Sequence, residues 1–425
     1  MTNPLKNFDL NKTKSIWLIP LLAWCVYVTV YFGRINLSIT IPFLHSDLGF
    51  SNAALGFLAT GFFIAYAAGQ FINGIIGDRI QVRYFITLGL VVSGLSNIAF
   101  RMFPVFPLML LAWSANGYFQ SMLWGPLLRV LAEYVPAAKL YRAMFLMSTS
   151  PIIGSFFSYI LIGHVAVSFG WGAAFVVPGI VLIAMAVLWY FGAANYTGKT
   201  EGHEKKYTTV KNEIAVKRNI MGFIVHSKLY LIIVFGILIG IVREGLVLWG
   251  PSIFTDFFSH DMNRMLFIMS LMPLINLFIV TVSGILYKTI MRNENHVIML
   301  FLVLTILSSL LIWRLQNVSV SMMIFFFYSL MASISAISNM LTCYIPFNFK
   351  EDGRVSTSAG IIDSALYLGA AIAGPLIGST SELFGWNGIF GGILGICLAA
   401  FIPCYIYFKT TSVLPKPPDS GLEKK

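Results

Sequence analysis

The sequence is poor in charge and in cysteine, and it lacks a nucleotide-binding loop. Only 11% of its 425 residues are charged, against about 25% in soluble domains, whereas 58% are hydrophobic and the mean hydropathy is +0.82. The four cysteines lie in apolar runs with no metal-ligand spacing, and no GxxxxGK[ST] loop is present to bind ATP. We therefore expect a polytopic membrane protein that is not an enzyme and has no cofactor or metal.

Apolar runs of the length that crosses a bilayer, about 20 residues, recur along the whole chain. Their number and length predict an all-α membrane protein with twelve transmembrane helices. The runs cover residues 16–41, 53–76, 84–103, 105–131, 143–166, 172–194, 228–250, 265–287, 296–313, 320–345, 355–379 and 386–408.

The lysines and arginines orient these helices. Of the 28 basic residues, only Arg101, Arg264 and Arg314 fall in odd-numbered connections, and only Arg34 and Arg243 lie well inside spans. By the positive-inside rule, both termini are expected to be cytoplasmic, in a multi-pass protein of the inner (plasma) membrane. The net charge of +11 then reflects topology and anionic lipid. We expect membrane lipid and a small anion as partners, no nucleic acid, and a monomer.

One polar, Lys-rich stretch, residues 195–227, divides the helices into six and six. The halves are repeats: "FGWGAAFVVPGIV" begins at Phe169 and "FGWNGIFGGILGI" at Phe384, an offset of 215 residues. This pattern is typical of the major facilitator fold, in which two pseudo-symmetric six-helix bundles flank a cavity. The predicted units are an N-terminal bundle at 1–194, a cytoplasmic loop at 195–227 and a C-terminal bundle with a short tail at 228–425.

Two arginines interrupt apolar runs at equivalent places in the repeat. Arg34 lies in "YFGRIN" of the first helix and Arg243 in "GIVREGLVLWGP" of the seventh. A charge inside a membrane helix costs roughly 2.5 to 3.5 kcal/mol on insertion scales, so such residues usually face a cavity. One interpretation is that both guanidinium groups converge on a phosphate or carboxylate, which their planar forks suit. The other is that each arginine pairs with a nearby carboxylate or carbonyl and locks the bundles.

Four segments resemble the organophosphate:phosphate antiporters, which include the glycerol-phosphate and hexose-phosphate transporters. They are "YFGRINLSITIPFL", "LGFLATGFFIAYAAGQFINGIIGDR", "NGYFQSMLWGPLLRVLAEYVPAAK" and "VREGLVLWGPSIF". The resemblance implies that Arg34 and Arg243 are the paired substrate-binding arginines. It also implies uptake by alternating access, with phosphate leaving as organophosphate enters.

The chain departs from that family at three places. Ile35 and Gln70 stand where well-studied members carry lysines, and the histidine of helix 5 has no counterpart, the nearest residues being Thr149 and Ser150. Fewer cations are then available for a dianionic phosphate. The substrate is expected to be an organophosphate held partly by hydrogen bonds, or else a carboxylate.

Helical spacing indicates further cavity residues, since residues three or four apart share a face. Polar or aromatic stripes occur on helices 1, 4, 10 and 11, and packing between helices is an alternative role for any member. The stripes are Tyr27, Tyr31, Arg34 and Ser38; Trp113, Asn116, Gln120 and Trp124; Tyr328, Ser335 and Asn339; and Ser356, Gly360, Asp363 and Tyr367.

Two carboxylates are candidates for coupling. Asp363 has no cation three or four residues away, so it is protonated, pairs with an arginine across the cavity, or exchanges protons during transport. Glu244 lies about 100° round the helix from Arg243 and is expected to face a neighbouring helix.

In the loop "GIIGDRIQVR", a degenerate form of the superfamily's G-x-x-x-D-R/K motif, Asp78 and Arg79 are predicted to gate the bundles.

The sequence therefore predicts a secondary transporter of a small organic anion, with an organophosphate exchanged for inorganic phosphate as the first hypothesis. A proton-coupled carboxylate symporter is the alternative within the same class. A transporter-like sensor of external sugar phosphate is the alternative from another class, because one branch of the resembling family reports to a kinase.

Overall fold

The computed structural model describes residues 10–77, 80–194, 220–258, 261–316, 319–349 and 355–411, and within these ranges it contains helices and no strand. Ten of the helices are long and apolar enough to cross a membrane. The helices are α1 Leu10–Leu48, α2 Asn52–Gly77, α3 Val82–Met102, α4 Phe106–Gln120, α5 Trp124–Tyr134, α6 Ala137–Phe157, α7 Gly163–Phe169, α8 Ala173–Gly192, α9 Ile220–His226, α10 Leu229–Phe257, α11 Met262–Leu286, α12 Glu294–Leu315, α13 Val320–Asn339 and α14 Val355–Thr411.

The twelve predicted spans all fall on helix, and the prediction of an all-α membrane protein is confirmed. The fourth span differs in detail because a turn over residues 121–123 divides it into α4 and α5. The eleventh and twelfth spans are the two helical parts of α14, which are separated at Gly385 by non-helical dihedrals (φ 61°, ψ −173°). The short helix α9 lies within the stretch predicted as a loop, whose residues 195–219 fall outside the described part of the chain.

The sequence repeat has a backbone counterpart. Gly170 and Gly385 occupy equivalent places in the two "FGW" segments, and both have positive φ, 82° and 61°. This conformation favours glycine because it has no Cβ. Each glycine lies where one span ends and the next begins, so the same local turn starts the last helix of each half.

The two halves contact each other at the end of the molecule that carries the α1–α2 connection. Gly56 of α2 and Gly374 of α14 approach so closely that a Cβ on either would overlap the carbonyl oxygen of the other. Thr60 Oγ1 donates a hydrogen bond to the Ala371 carbonyl (2.6 Å), and Asn52 Nδ2 donates one to Ser381 Oγ (3.0 Å). We call this contact between α2 and α14 the α2–α14 seal.

Candidate functional site

A cavity of about 370 Å³ lies between the halves, within the size range of small-molecule sites. Residues of α1, α6, α10, α11, α13 and α14 line it, so both repeats contribute walls. Eight of the residues singled out in the sequence are among them: Tyr31, Arg34, Ile35, Arg243, Glu244, Ser335, Asn339 and Tyr367.

A break in α1 positions Arg34. The preceding residue, Gly33, has non-helical dihedrals (φ −93°, ψ 17°), and its carbonyl accepts hydrogen bonds from Asn116 Nδ2 (2.8 Å) and Gln120 Nε2 (3.0 Å) of α4. A Cβ at residue 33 would lie 3.0 Å from Asn97 Nδ2. Glycine therefore allows α1 to bend against α3 and α4, and the two amides hold the bend in place.

A buried polar network extends from this break into α3. Asn36 Nδ2 donates to Asn97 Oδ1 (2.9 Å), Asn97 Nδ2 donates to Asn116 Oδ1 (3.2 Å), and Ser93 Oγ donates to the same oxygen (2.5 Å). Buried polar groups need such partners where water is absent. The sequence analysis missed Asn36, Ser93 and Asn97, although the spacing of polar residues four apart in an apolar run was a usable signal.

Arg34 faces aromatic rings. Its guanidinium carbon lies 4.6 Å from the ring centroid of Tyr66, 5.4 Å from that of Phe62 and 5.6 Å from that of Tyr31. Within the described chain it forms no salt bridge. Cation–π contacts stabilise a cation but leave its donors free for an anion. Gln70 donates a hydrogen bond from Nε2 to the Tyr66 hydroxyl (2.9 Å).

Arg243 is already paired. Its Nε and Nη2 both donate to Glu244 Oε1, at 2.7 and 2.5 Å, and the two side chains are 26% and 16% exposed. The prediction that Glu244 faces a neighbouring helix is wrong, because both side chains are long enough to meet despite the 100° between their positions, and both line the cavity. The interpretation that an arginine pairs with a nearby carboxylate thus holds for Arg243 in this conformation.

Asp363 lies one turn before Tyr367 on α14, outside the cavity lining, and it is exposed. It forms no salt bridge with a described residue. With both carboxylates ionised, Glu244 and Asp363 balance Arg34 and Arg243, so the region has no net charge. The described residues hold no cluster of three or more His, Cys, Asp or Glu that could bind a metal.

Three predicted substrate contacts have structural roles in this conformation and do not line the cavity. Ser38 Oγ donates to the carbonyls of Val247 and Leu248 across the halves (2.8 and 2.9 Å). Gln120 supports the α1 break, and the Trp124 ring packs on Tyr27 with centroids 4.6 Å apart.

Other residues of the predicted stripes also include both cavity-lining and structural side chains. Ser335 lines the cavity, whereas the Tyr328 hydroxyl donates to the Ile268 carbonyl (2.6 Å). The predicted gating residues Asp78 and Arg79 lie outside the described residues.

The chain resembles known proteins in family, in sequence and in structure. A model described as the Major Facilitator Superfamily matches residues 23–358. A probable hexose phosphate transport protein of Chlamydia trachomatis is 26% identical over 406 residues, covering 88% of this chain and 87% of the relative. The glycerol-3-phosphate transporter of Bacillus subtilis is 23% identical and the membrane sensor protein UhpC of Escherichia coli 22% identical, with 88% and 90% of this chain covered and 88% and 91% of the relatives.

Solved structures share the fold. A bacterial homologue of the human lysosomal transporter Spinster, in an inward-facing and occupied conformation, superposes with a TM-score of 0.75 at 12% identity, covering 94% of this chain and 98% of that one. A D-xylose–proton symporter superposes with a TM-score of 0.71 at 14% identity, covering 91% and 97%. The predicted fold and the resemblance stated from the sequence are confirmed.

Proposed function

Since this chain belongs to the Major Facilitator Superfamily, we propose that it is a secondary active transporter that exchanges an organophosphate for inorganic phosphate by alternating access. The named functions of its relatives, hexose phosphate and glycerol-3-phosphate transport, support this choice of substrate. Those relatives match this chain over nearly nine-tenths of their own length. The similarity therefore extends over both repeats and is not limited to one segment.

One observation carries the proposal: two arginines from equivalent helices line the same cavity, and one of them, Arg34, has no carboxylate partner in the described chain. A planar guanidinium with free donors binds phosphate bidentately. The aromatic rings around Arg34 hold the cation without neutralising it, because they carry no charge. Arg34 is therefore the first anion contact, and Arg243 the second.

Arg243 becomes available only when Glu244 releases it. An incoming phosphate competes with the Glu244 carboxylate for the same guanidinium donors, and the carboxylate either turns aside or takes up a proton. Asp363, which is exposed and lies one turn before Tyr367 on α14, is the second coupling group. Protonation of either carboxylate leaves the region positive and favours the anion.

Alternating access requires the α2–α14 seal to open while the opposite end closes. We infer a multi-pass protein of the inner membrane with both termini cytoplasmic, from the distribution of lysine and arginine. In that orientation the seal closes the outer side, and Asp78 and Arg79 act at the cytoplasmic side. The functional units are the bundles 1–194 and 228–425, joined by the loop 195–227, in a monomer.

The test is counterflow in proteoliposomes. Purified protein is reconstituted with internal inorganic phosphate, and uptake of labelled external phosphate is measured with and without a panel of unlabelled phosphorylated and carboxylated anions. Exchange that is inhibited best by a phosphate ester supports the proposal. Uptake that depends on an imposed proton gradient, ignores internal phosphate and is inhibited best by carboxylates supports the carboxylate symporter.

A sensor role is the second candidate, because the relatives include the membrane sensor protein UhpC. A sensor of this kind binds the anion without moving it through a full cycle. Binding of a sugar phosphate with no counterflow, together with a membrane kinase gene beside the gene for this chain, would favour sensing.

A further inference from the structure

Three residues that line the cavity each carry a buried polar side-chain atom without a hydrogen-bond partner. They are Tyr159, Asn276 and Ser338. A buried polar atom of this kind costs free energy unless a group that arrives in another state of the protein completes it. The Tyr159 hydroxyl lies within electrostatic range of a carboxylate, that of Glu244, and this carboxylate is a candidate partner for it.

Tyr159 lies at a local change of helix type. It belongs to the π-helical turn Ser158–Ile162 between α6 and α7, and such turns are frequent at functional sites. With 1% of its surface exposed, Tyr159 has to find its partner within the protein or the cavity. Its hydroxyl is also close to Ser38, whose Oγ gives its own proton to the Val247 and Leu248 carbonyls (2.8 and 2.9 Å). The serine proton is thus committed, and the tyrosine O–H is free to donate.

The hydroxyl and the carboxylate come from different halves of the molecule. Tyr159 belongs to the N-terminal repeat, and Glu244 lies on α10 in the C-terminal repeat. In this structure Glu244 Oε1 accepts both hydrogen bonds from Arg243. A phosphate that takes those donors leaves a partly buried carboxylate without its partner, and an ionised group in that condition is costly. The displaced carboxylate therefore needs another donor.

We propose that Tyr159 is the second partner of Glu244: when an anion displaces the carboxylate from Arg243, the carboxylate accepts a hydrogen bond from the Tyr159 hydroxyl. This rests on the proposed function, because it assumes that the anion competes for the donors of Arg243. Tyr159 is then a positioning residue that acts on the anion through Glu244. The new bond joins the two halves near Ser38, so binding of the anion adds a contact between them.

The test is a double-mutant cycle on phosphate affinity. Tyr159→Phe removes the hydroxyl and keeps the ring, and Glu244→Gln removes the carboxylate that needs it. Equilibrium binding of labelled inorganic phosphate to detergent-solubilised protein is measured for the wild type, the two single variants and the double variant. Tyr328→Phe is the matched control, because the Tyr328 hydroxyl donates to the Ile268 carbonyl (2.6 Å) and does not line the cavity.

We expect Tyr159→Phe to weaken phosphate binding roughly tenfold, which is the effect of losing one hydrogen bond to a charged group. In the Glu244→Gln background the same substitution should change the affinity by less than about twofold. The reason is that displacement of an uncharged glutamine leaves no buried charge to be stabilised. Tyr328→Phe should have the same effect in both backgrounds.

Thermal unfolding gives a second readout, which a purely structural role would change differently. Because the Tyr159 hydroxyl has no hydrogen-bond partner here, Tyr159→Phe should leave the unfolding temperature without phosphate unchanged. It should reduce the rise in that temperature that phosphate produces. Tyr328→Phe should lower the unfolding temperature without phosphate, since it removes a formed hydrogen bond.

The outcomes separate this inference from the proposed function. An equal loss of affinity in both backgrounds overturns the inference and indicates a hydroxyl that contacts the anion directly. Unchanged affinity in Tyr159→Phe, or a lower unfolding temperature of that variant without phosphate, also overturns it. In each of these cases the wild type still binds phosphate, and the proposed function stands. A wild type that neither binds nor exchanges phosphate overturns the proposed function, and the role of Tyr159 with it.

Discussion

The pairing of Arg243 with Glu244 makes a quantitative prediction for Glu244→Gln. Glutamine keeps the shape of the side chain but removes the charge that competes with a bound anion. The ion pair contains two short hydrogen bonds, 2.7 and 2.5 Å, and hydrogen bonds to charged groups contribute about 1.5 to 3 kcal/mol. Because the arginine side chain is 26% and the glutamate 16% exposed, water screens part of this attraction, and we take about 1 to 2 kcal/mol.

A competing interaction of that size should appear directly in anion affinity. Since 1.4 kcal/mol corresponds to a factor of ten, Glu244→Gln should bind inorganic phosphate roughly five- to thirty-fold more tightly than the wild type. The maximal exchange rate should fall, because affinity gained within one site is mostly lost from the dissociation rate. The variant should therefore hold the anion well and release it slowly.

Equilibrium binding of labelled phosphate to detergent-solubilised protein measures the first effect, and proteoliposome exchange measures the second. Glu133→Gln is the matched control, because Glu133 also forms an ion pair with an arginine, Arg129, at 2.7 Å and 24% and 31% exposure, but does not line the cavity. It should change neither quantity. If Glu244→Gln binds phosphate with unchanged or weaker affinity, the carboxylate does not compete with the anion, and its role is to orient Arg243.

Three further predictions concern the same charges. Arg34→Lys and Arg243→Lys should each nearly abolish uptake at normal protein amount, because a point charge cannot replace a bidentate fork; unchanged apparent affinity in either would remove that arginine from the anion site. Asp363→Asn should preserve equilibrium exchange but lose its response to an imposed pH gradient, and an unaltered response would indicate a structural role. Uptake of a phosphate ester should rise as external pH falls from about 7.5 to 5.5, since its second pKa is near 6, and Gln70→Lys should flatten that rise; parallel initial-rate curves for the two proteins would contradict charge matching.

The helices could be predicted from the sequence because a bilayer demands long apolar runs. The recurrence of "FGW" predicted a repeat, and the glycine of both copies has positive φ in the structure. The turn between α4 and α5 was not predictable in this way. At residues 121–123 the α-helical hydrogen bonding is interrupted, and the N–H groups of Met122 and Leu123 donate to carbonyls three residues back. The hydropathy continues through this interruption, so it gives no signal of it. The break at Gly385 was predictable, because the sequence there reads as a turn and the backbone is non-helical at that glycine.

The charged residues of the candidate site could be predicted from the sequence, whereas the uncharged polar residues around them were harder to predict. Arg34 and Arg243 stood out because charge is costly in a membrane, whereas Asn276 did not, because a lone asparagine in an apolar run has no pattern. Gln120 lies on the predicted face of α4, but its amide is held by the carbonyl of Gly33 (3.0 Å). Helical spacing identifies the face of α4 on which Gln120 lies. The bend in α1 determines that this face contacts the Gly33 carbonyl.

The structural environments of the two arginines differ although their positions in the repeat correspond. Arg34 follows a broken turn and is surrounded by neutral rings, while Arg243 lies in continuous helix beside its own carboxylate. Two unpaired arginines would bind a dianionic phosphate strongly and release it slowly. With one cation free and the other shared with Glu244, the empty site has less positive charge, and a bound phosphate is always in competition with an internal carboxylate. An exchanger must release its anion on both sides in every cycle, so this asymmetry between repeats suits turnover better than a symmetric clamp of two free arginines, which was one of the two interpretations of the sequence.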